Sequence, residues 1–239
     1  MTSFFVFIPL IYIDFRRLLC FYEHKAGRKN KDNRFFISER LKKRNKSDII
    51  LFVSKLRGDK MKDFLTIDIQ GFKADLPILP LPSGINIAFF NLHGAVKMTE
   101  HCGKKLAEHL KDCDVLITAE SKGLQLCHVC ARELGHDFYA VARKSRKLYM
   151  QDGIGVEYGS SITTGTPQKL FLSKHDMELL KGKKVGIVDD VVSTGESLSG
   201  LEKLVTEAGG IIVKKAFVLA EGKAADRDDI VYLAKIPLL

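Results

Sequence analysis

Lys184-Val185-Gly186-Ile187-Val188-Asp189-Asp190-Val191-Val192-Ser193-Thr194-Gly195-Glu196-Ser197 sets the reading of this chain. An apolar, β-branched run ends in two adjacent carboxylates. A hydroxyl-rich turn follows and leads into an amphipathic segment, Leu198 to Ala208, with helical spacing. The order is strand, acidic tip, anion cradle, helix. At a helix N-terminus the free backbone N–H groups and the dipole favour an anion. Ser193, Thr194 and Ser197 add hydroxyl donors, and Gly195 lets the backbone come close. Two carboxylates do not bind that same anion, because like charges repel. They suit a neighbouring polyol, a metal ion or a developing positive charge. A sugar phosphate satisfies both halves, whereas an ordinary capped strand–turn–helix would need only one Ser or Asp.

These residues resemble the PRPP-binding signature of the type I phosphoribosyltransferases. The match fails at one position: Glu196 stands where many members have a second glycine, setting an acid beside the expected 5′-phosphate. The resemblance implies an α/β fold, a doubly wound parallel sheet with a small N-terminal hood and a mobile β-hairpin flap. It also implies 5′-phosphate contacts from Ser193, Thr194, Gly195, Glu196 and Ser197, with Asp189 and Asp190 on the ribose.

The total charge of +9 invites a nucleic-acid reading, but the charge is uneven. Residues 1–60 carry 15 Lys and Arg against 6 Asp and Glu, so residues 61–239 hold 23 of each and are neutral. Neither nucleic acid nor membrane is therefore an expected partner of that region. The apolar run Phe4 to Ile13 is shorter than the roughly 20 residues a spanning helix needs, and no basic residue precedes it. Arg16 to Lys60 has little apolar periodicity and reads as disordered, or as a basic arm for a membrane surface or RNA. A different explanation fits better. Arg57-Gly58-Asp59-Lys60 can be encoded by purine-rich codons resembling a bacterial ribosome-binding site, so Met61 is an expected start and residues 1–60 an artefactual extension. The expected domain is then 61–239. Intact mass of the native protein tests this; a species starting at Met1 sinks it.

Five cysteines and no recognisable secretory signal imply free thiols in a reducing cytoplasm. Cys127-His128-Val129-Cys130 has metal-like spacing but no second ligand pair, and it reads as one face of a buried helix.

From Met61 the pattern sharpens. Phe64 to Phe72 alternates as a strand. Leu76 to Pro82 reads as a proline-rich edge, and Ile85 to Asn91 continues the hood. A helix is expected over Gly94 to Leu110. Asp114 to Ala119 is a buried strand, turning through Glu120-Ser121-Lys122-Gly123 into a helix from Leu124 to Leu134. Phe138 to Ala142 is the next strand, and the charged run Arg143 to Tyr149 leaves its end, where open α/β sheets place ligands. The resemblance puts pyrophosphate on Glu120, Ser121, Lys122, Gly123, Arg143, Lys144 and Lys147; the Arg-Lys-x-x-Lys-Leu order is similar to adenine-specific members. Residues 150–166, rich in glycine, read as the flap, closed by Leu170 to Leu172. Glu157-Tyr158-Gly159 matches an adenine-branch element whose Glu manages a proton on the purine. Ser173 to Asp176 forms a capping box for a short helix to Leu180, and Ile211 to Leu219 and Ile230 to Leu233 are further strands.

The implied activity is adenine plus PRPP to AMP and pyrophosphate, with Mg2+ carried on the diphosphate and a homodimeric, cytoplasmic enzyme. Phe89, Phe90 and Asn91 are candidates for the base. Hypoxanthine, guanine or xanthine remain open as substrates. So does a PRPP-binding gene regulator, although residues 1–60 show no helix-turn-helix pattern.

Overall fold

The computed structural model describes residues 64–80, 85–159 and 167–239. The extension 1–60 and the flap tip 160–166 lie outside these residues.

The strand carrying Asp189 and Asp190 is central to the described residues. It is β8 (Lys184–Val192), the middle strand of a five-stranded sheet. The other members are β4 (Val115–Ala119), β5 (Ala140–Ala142), β9 (Ile211–Glu221) and β10 (Val231–Ile236). Their order is β10-β9-β8-β4-β5, and every neighbouring pair is parallel. From β4 the chain winds outward to β5, then returns to β8 and winds the other way through β9 to β10. The reversal falls between β4 and β8, and a crevice at the carboxyl ends of the strands is expected there.

Helices cover both faces, as buried parallel strands require. On one face α4 (Glu196–Glu207) inserts Leu198, Leu201, Leu204 and Val205 against Val185, Ile187 and Phe217. On the other, α1 (Val96–Ala107) and α2 (Gly123–Leu134) set Leu106, Leu126 and Cys127 against Leu116, Val188 and Val218. Cys127 and Cys130 are fully buried on α2, as the helical spacing predicts, and burial raises both thiols, Cys130 to about 12. These are packing residues.

Two expectations change in the N-terminal piece. The alternating run Phe64 to Phe72 is not one strand: β1 (Phe64–Ile69) and β2 (Phe72–Pro80) form a hairpin around Gln70 and Gly71. Both turn residues have positive φ, 49° and 97°, and Asp68 Oδ1 accepts from the Gly71 N–H at 2.7 Å. Gln70 hides the turn from sequence inspection, because Asn, Asp or Gly is the usual signal. β2 also carries its prolines in the middle of a three-stranded order, next to β3 (Asn86–Ala88). It pairs with β1 over 72–77 and with β3 over 78–80, so each half keeps one free edge that tolerates proline. Ile69 and Leu76 join the core beneath α1 and α2.

The glycine-rich segment forms an antiparallel pair, β6 (Ile154–Tyr158) with β7 (Gln168–Leu172). Its stems pack into the core. Val156, Tyr158, Leu170 and Leu172 are all buried in the core formed with α4. Between β7 and β8, α3 (Lys174–Leu180) starts at the expected capping box, Ser173 with Asp176.

Candidate active site

β8 delivers Asp189 and Asp190 to the switch point on opposite sides of the strand. Asp190 is 7% exposed, and its Oδ2 lies 3.2 Å from Lys122 Nζ. That ion pair joins the end of β8 to the turn after β4. Asp189 Oδ1 accepts from the Asp190 N–H at 2.9 Å. Removal from water, and then the Asp190 charge beside it, push the Asp189 carboxyl up to about 7. An ionised Asp189 is therefore costly unless positive charge arrives.

The turn after β4 wraps closely around these acids. The Glu120–Ser121 peptide is cis, and α2 starts at Gly123. A Cβ at Gly123 would sit 2.1 Å from Thr118 Oγ1 and 2.9 Å from Asp189 Oδ1, so only glycine allows the helix to begin there. Thr118 is fully buried, and its hydroxyl has no partner among the described residues. Lys122 also reaches the Phe90 carbonyl at 3.5 Å and lies 5.8 Å from the centre of the Phe89 ring.

Glu120, expected among the pyrophosphate residues, is engaged by the basic run. Its Oε2 lies 2.8 Å from Arg143 Nε, and its Oε1 accepts from the Lys144 N–H at 2.6 Å. A carboxylate repels diphosphate; here it fixes the basic run instead. The run itself separates into roles. Arg143 and Lys144 stand beside the β4 turn, and Lys147 Nζ donates to Ser145 Oγ at 2.8 Å. Arg146, which sequence reasoning passed over, donates to the carbonyls of Met150, Gln151 and Gly153 and stacks 5.2 Å from the Phe171 ring centre. It shapes the loop. Its only signal was one more charge in a basic run.

The second cradle lies at the start of α4. Gly195 is the N-cap with φ 82°, and Ser193, Thr194 and Ser197 are exposed around it. Helix α4 begins two residues earlier than the spacing predicts, at Glu196. The Glu196 side chain is not directed as expected either. Its carboxylate rests on Gly159: a Cβ there would meet Glu196 Oε2 at 2.4 Å and Cδ at 2.8 Å. The acid thus packs on the hairpin end, while its backbone N–H donates to Thr194 Oγ1 at 3.4 Å within the loop.

Tyr158, beside Gly159, is buried over Gly200 and donates to Gln168 Oε1 at 2.9 Å. Because side chains alternate along β6, Glu157 faces the opposite way. It is 57% exposed and paired with Lys169 at 2.7 Å. Its backbone carbonyl accepts from Lys203 Nζ at 3.2 Å.

The base candidates divide. Phe90 is 2% exposed and belongs to the core, so it is not a stacking surface. Asn91 Oδ1 accepts from the His93 N–H at 3.2 Å, which makes it a turn residue. Phe89 is half-buried next to Lys122 and remains beside the crevice. His93, not anticipated from the sequence, approaches Ser121 Oγ at 3.4 Å and Gln125 Nε2 at 3.5 Å at the same rim.

Two strand-to-helix turns with two carboxylates between them, where a parallel sheet reverses, define an α/β protein with its crevice at the switch point. The chain belongs to the phosphoribosyl transferase domain family, whose profile matches residues 91–236. It is 31% identical over 148 residues to a xanthine phosphoribosyltransferase of Exiguobacterium sp., covering 59% of this chain and 75% of the relative. It is 33% identical over 127 residues to an adenine phosphoribosyltransferase of Clostridium botulinum, covering 52% and 69%. Among solved structures, the adenine phosphoribosyltransferase of Thermoanaerobacter pseudethanolicus superposes with a TM-score of 0.56 at 25% identity, covering 67% of this chain and 95% of that one.

Proposed function

We propose that this chain is a purine phosphoribosyltransferase that joins adenine to PRPP, giving AMP and pyrophosphate. The observation that carries the reading is the pair of loops, Glu120–Gly123 and Ser193–Ser197, leaving adjacent parallel strands on either side of Asp189 and Asp190. PRPP is long enough to place its two anionic ends in the two loops and its ribose over the acids.

In this arrangement Ser193, Thr194, Ser197 and the N–H groups of Gly195 and Glu196 anchor the 5′-phosphate. Lys122, Arg143 and Lys144 face the diphosphate and stabilise the charge that grows on the leaving oxygen as the anomeric C–O bond breaks. Asp189 and Asp190 hold the ribose hydroxyls. Asp189 gains most from the positive charge that develops on the sugar, because that charge favours its ionised form. Binding energy at the phosphate end fixes the reacting carbon in place.

Magnesium fits this donor set through substrate oxygens. Among the described residues no group of three or more His, Cys, Asp or Glu could hold a metal ion alone, whereas one or two carboxylates beside phosphate oxygens is the usual Mg2+ arrangement. In this reading the ion would be carried on the diphosphate oxygens, with Asp189 and Asp190 on the neighbouring ribose, and it would neutralise diphosphate charge.

The hood strands and Phe89 would face the base. Adenine is favoured by the Arg143-Lys144 run and by the adenine-specific structural neighbour; the xanthine-specific relative makes xanthine the alternative to test. Leu148 and Tyr149, 91% and 69% exposed beside the basic run, suit a second subunit, and the free buried thiols suit a cytoplasmic location. Among the described residues no helix is long and apolar enough to cross a membrane. The test is pyrophosphate release from PRPP with Mg2+, offering adenine, hypoxanthine, guanine and xanthine separately. Turnover with adenine is the expected result. Saturable PRPP binding without turnover on any base would replace the enzyme with a PRPP-sensing regulator.

A further inference from the structure

Beyond the loop itself, a guanidinium stands at the edge of the α4 cradle. Arg227 lies in the turn before β10, and its Nη1 is 3.1 Å from where a Cβ on Gly195 would sit. The rest of that side chain is clamped. Nε donates to Asp229 Oδ1 at 2.8 Å, and Nη2 donates to Asp229 Oδ2 at 2.7 Å, a two-pronged contact that fixes the plane of the group. Asp229 is held in turn by Lys215, whose Nζ lies 2.7 Å from Asp229 Oδ2 and 2.6 Å from Glu202 Oε1 on α4. Lys215 is 18% exposed. Nη1 donates no hydrogen bond among the described residues, so the one free edge of the fork is the edge at Gly195.

We propose that Arg227 is a phosphate-binding residue of this site, donating from Nη1 to the 5′-phosphate of the sugar substrate, with Asp229 and Lys215 as its positioning residues. The proposal rests on the phosphoribosyl-transfer reading and extends it. The loop alone offers neutral donors and a helix dipole. Arg227 adds a full positive charge in a chain where Glu196 puts an acid at the same helix start. The two side chains part: the Glu196 carboxylate lies on Gly159, and the Arg227 fork lies on Gly195. The acids near Arg227 do not cancel this role. Asp229 uses both oxygens on the fork and on Lys215, and those contacts hold its carboxyl well below the usual carboxylate range, so it stays ionised and keeps the guanidinium fixed. Glu202, itself paired with Lys215, and Asp228 are the remaining neighbours that act on Arg227 through charge alone.

The test compares calorimetric binding of ribose 5-phosphate and of inorganic pyrophosphate to the full chain and to Arg227→Gln, Arg227→Lys and Asp229→Asn. A charged hydrogen bond to phosphate predicts that Arg227→Gln weakens ribose 5-phosphate roughly 10- to 100-fold and leaves pyrophosphate within about twofold. Arg227→Lys keeps the charge but loses the fork, and should fall between wild type and Gln. Asp229→Asn should weaken ribose 5-phosphate as well. Circular dichroism separates these effects from unfolding, and the Lys variant stands in if Gln does not fold. Unchanged ribose 5-phosphate binding in Arg227→Gln, or equal loss for both ligands, overturns the proposal. A wild-type chain that binds neither ligand overturns the phosphoribosyl reading on which it rests.

Discussion

Gly123→Ala should separate backbone approach from chemistry at this site. The added Cβ would lie 2.1 Å from Thr118 Oγ1 and 2.9 Å from Asp189 Oδ1, with Thr118 Cβ at 3.4 Å. Thr118 is fully buried, so the clash is relieved only if its hydroxyl turns or the start of α2 withdraws. Overpacking of this kind costs about 1–3 kcal/mol, and the better helix propensity of alanine returns up to about 1 kcal/mol. With the full return the net loss is about 0–2 kcal/mol, read as a lower urea midpoint at unchanged slope. Thr118→Ala removes an unpartnered buried hydroxyl together with a methyl group; these effects are opposed, and the single variant should be close to neutral. The double variant lacks the 2.1 Å contact and should recover at least about 1 kcal/mol as coupling. It should not recover turnover, because the Cβ still presses on Asp189. Strict additivity, or a Gly123→Ala chain with full stability and full turnover, would refute the claim that α2 must start against Asp189.

Three further outcomes follow from the same geometry. The Asp189 carboxyl binds its proton more tightly folded than unfolded, so its contribution to stability is full below about pH 4, near its ordinary value of 3.8, and fades as pH rises to about 7. Asp189→Asn should therefore melt higher than wild type at pH 8, with the difference vanishing toward pH 4 in a thermal-melt series. Gly159→Ala should destabilise by about 1–3 kcal/mol, from the contact with Glu196 and the positive φ of 48°, and Glu196→Ala in the same chain should restore part of it by denaturant titration. Glu157→Gln should leave stability within about 0.5 kcal/mol and retain most of kcat, since Glu157 is spent on an exposed pair with Lys169; a large loss of kcat at unchanged KM would show that the hairpin delivers Glu157 to the base.

The central strand and both loops were legible in the sequence because their signals are local. A β-branched run buried on both faces, two carboxylates and a glycine-hydroxyl turn carry their own geometry in residue type and order. The helical faces of α1, α2 and α4 were equally plain, within a few residues at their ends. What escaped depends on contacts distant in sequence. Glu120 reads as a site acid until Arg143, across the β4–β5 pair, is seen to occupy it. Glu196 reads as an intruder in the phosphate loop until Gly159 is seen beneath it. Arg227 had no local signal at all, since only the β9–β10 connection brings it to Gly195. The hairpin at Gln70 failed for a different reason: the register Ile69 to Phe72 imposes positive φ on a residue type that seldom announces it. Phe89 and Phe90 are adjacent and alike in composition, and only burial separates the core residue from the one at the rim.

The account stands on Asp189 and Asp190 holding the ribose between two anion loops. Its most direct test is PRPP-dependent pyrophosphate release with adenine and Mg2+ by wild type and by the Asp189→Asn/Asp190→Asn chain, with circular dichroism confirming that both are folded. The account predicts rapid release by wild type and a loss of at least about 100-fold in kcat/KM in the variant. Release at the wild-type rate by the folded variant would contradict it.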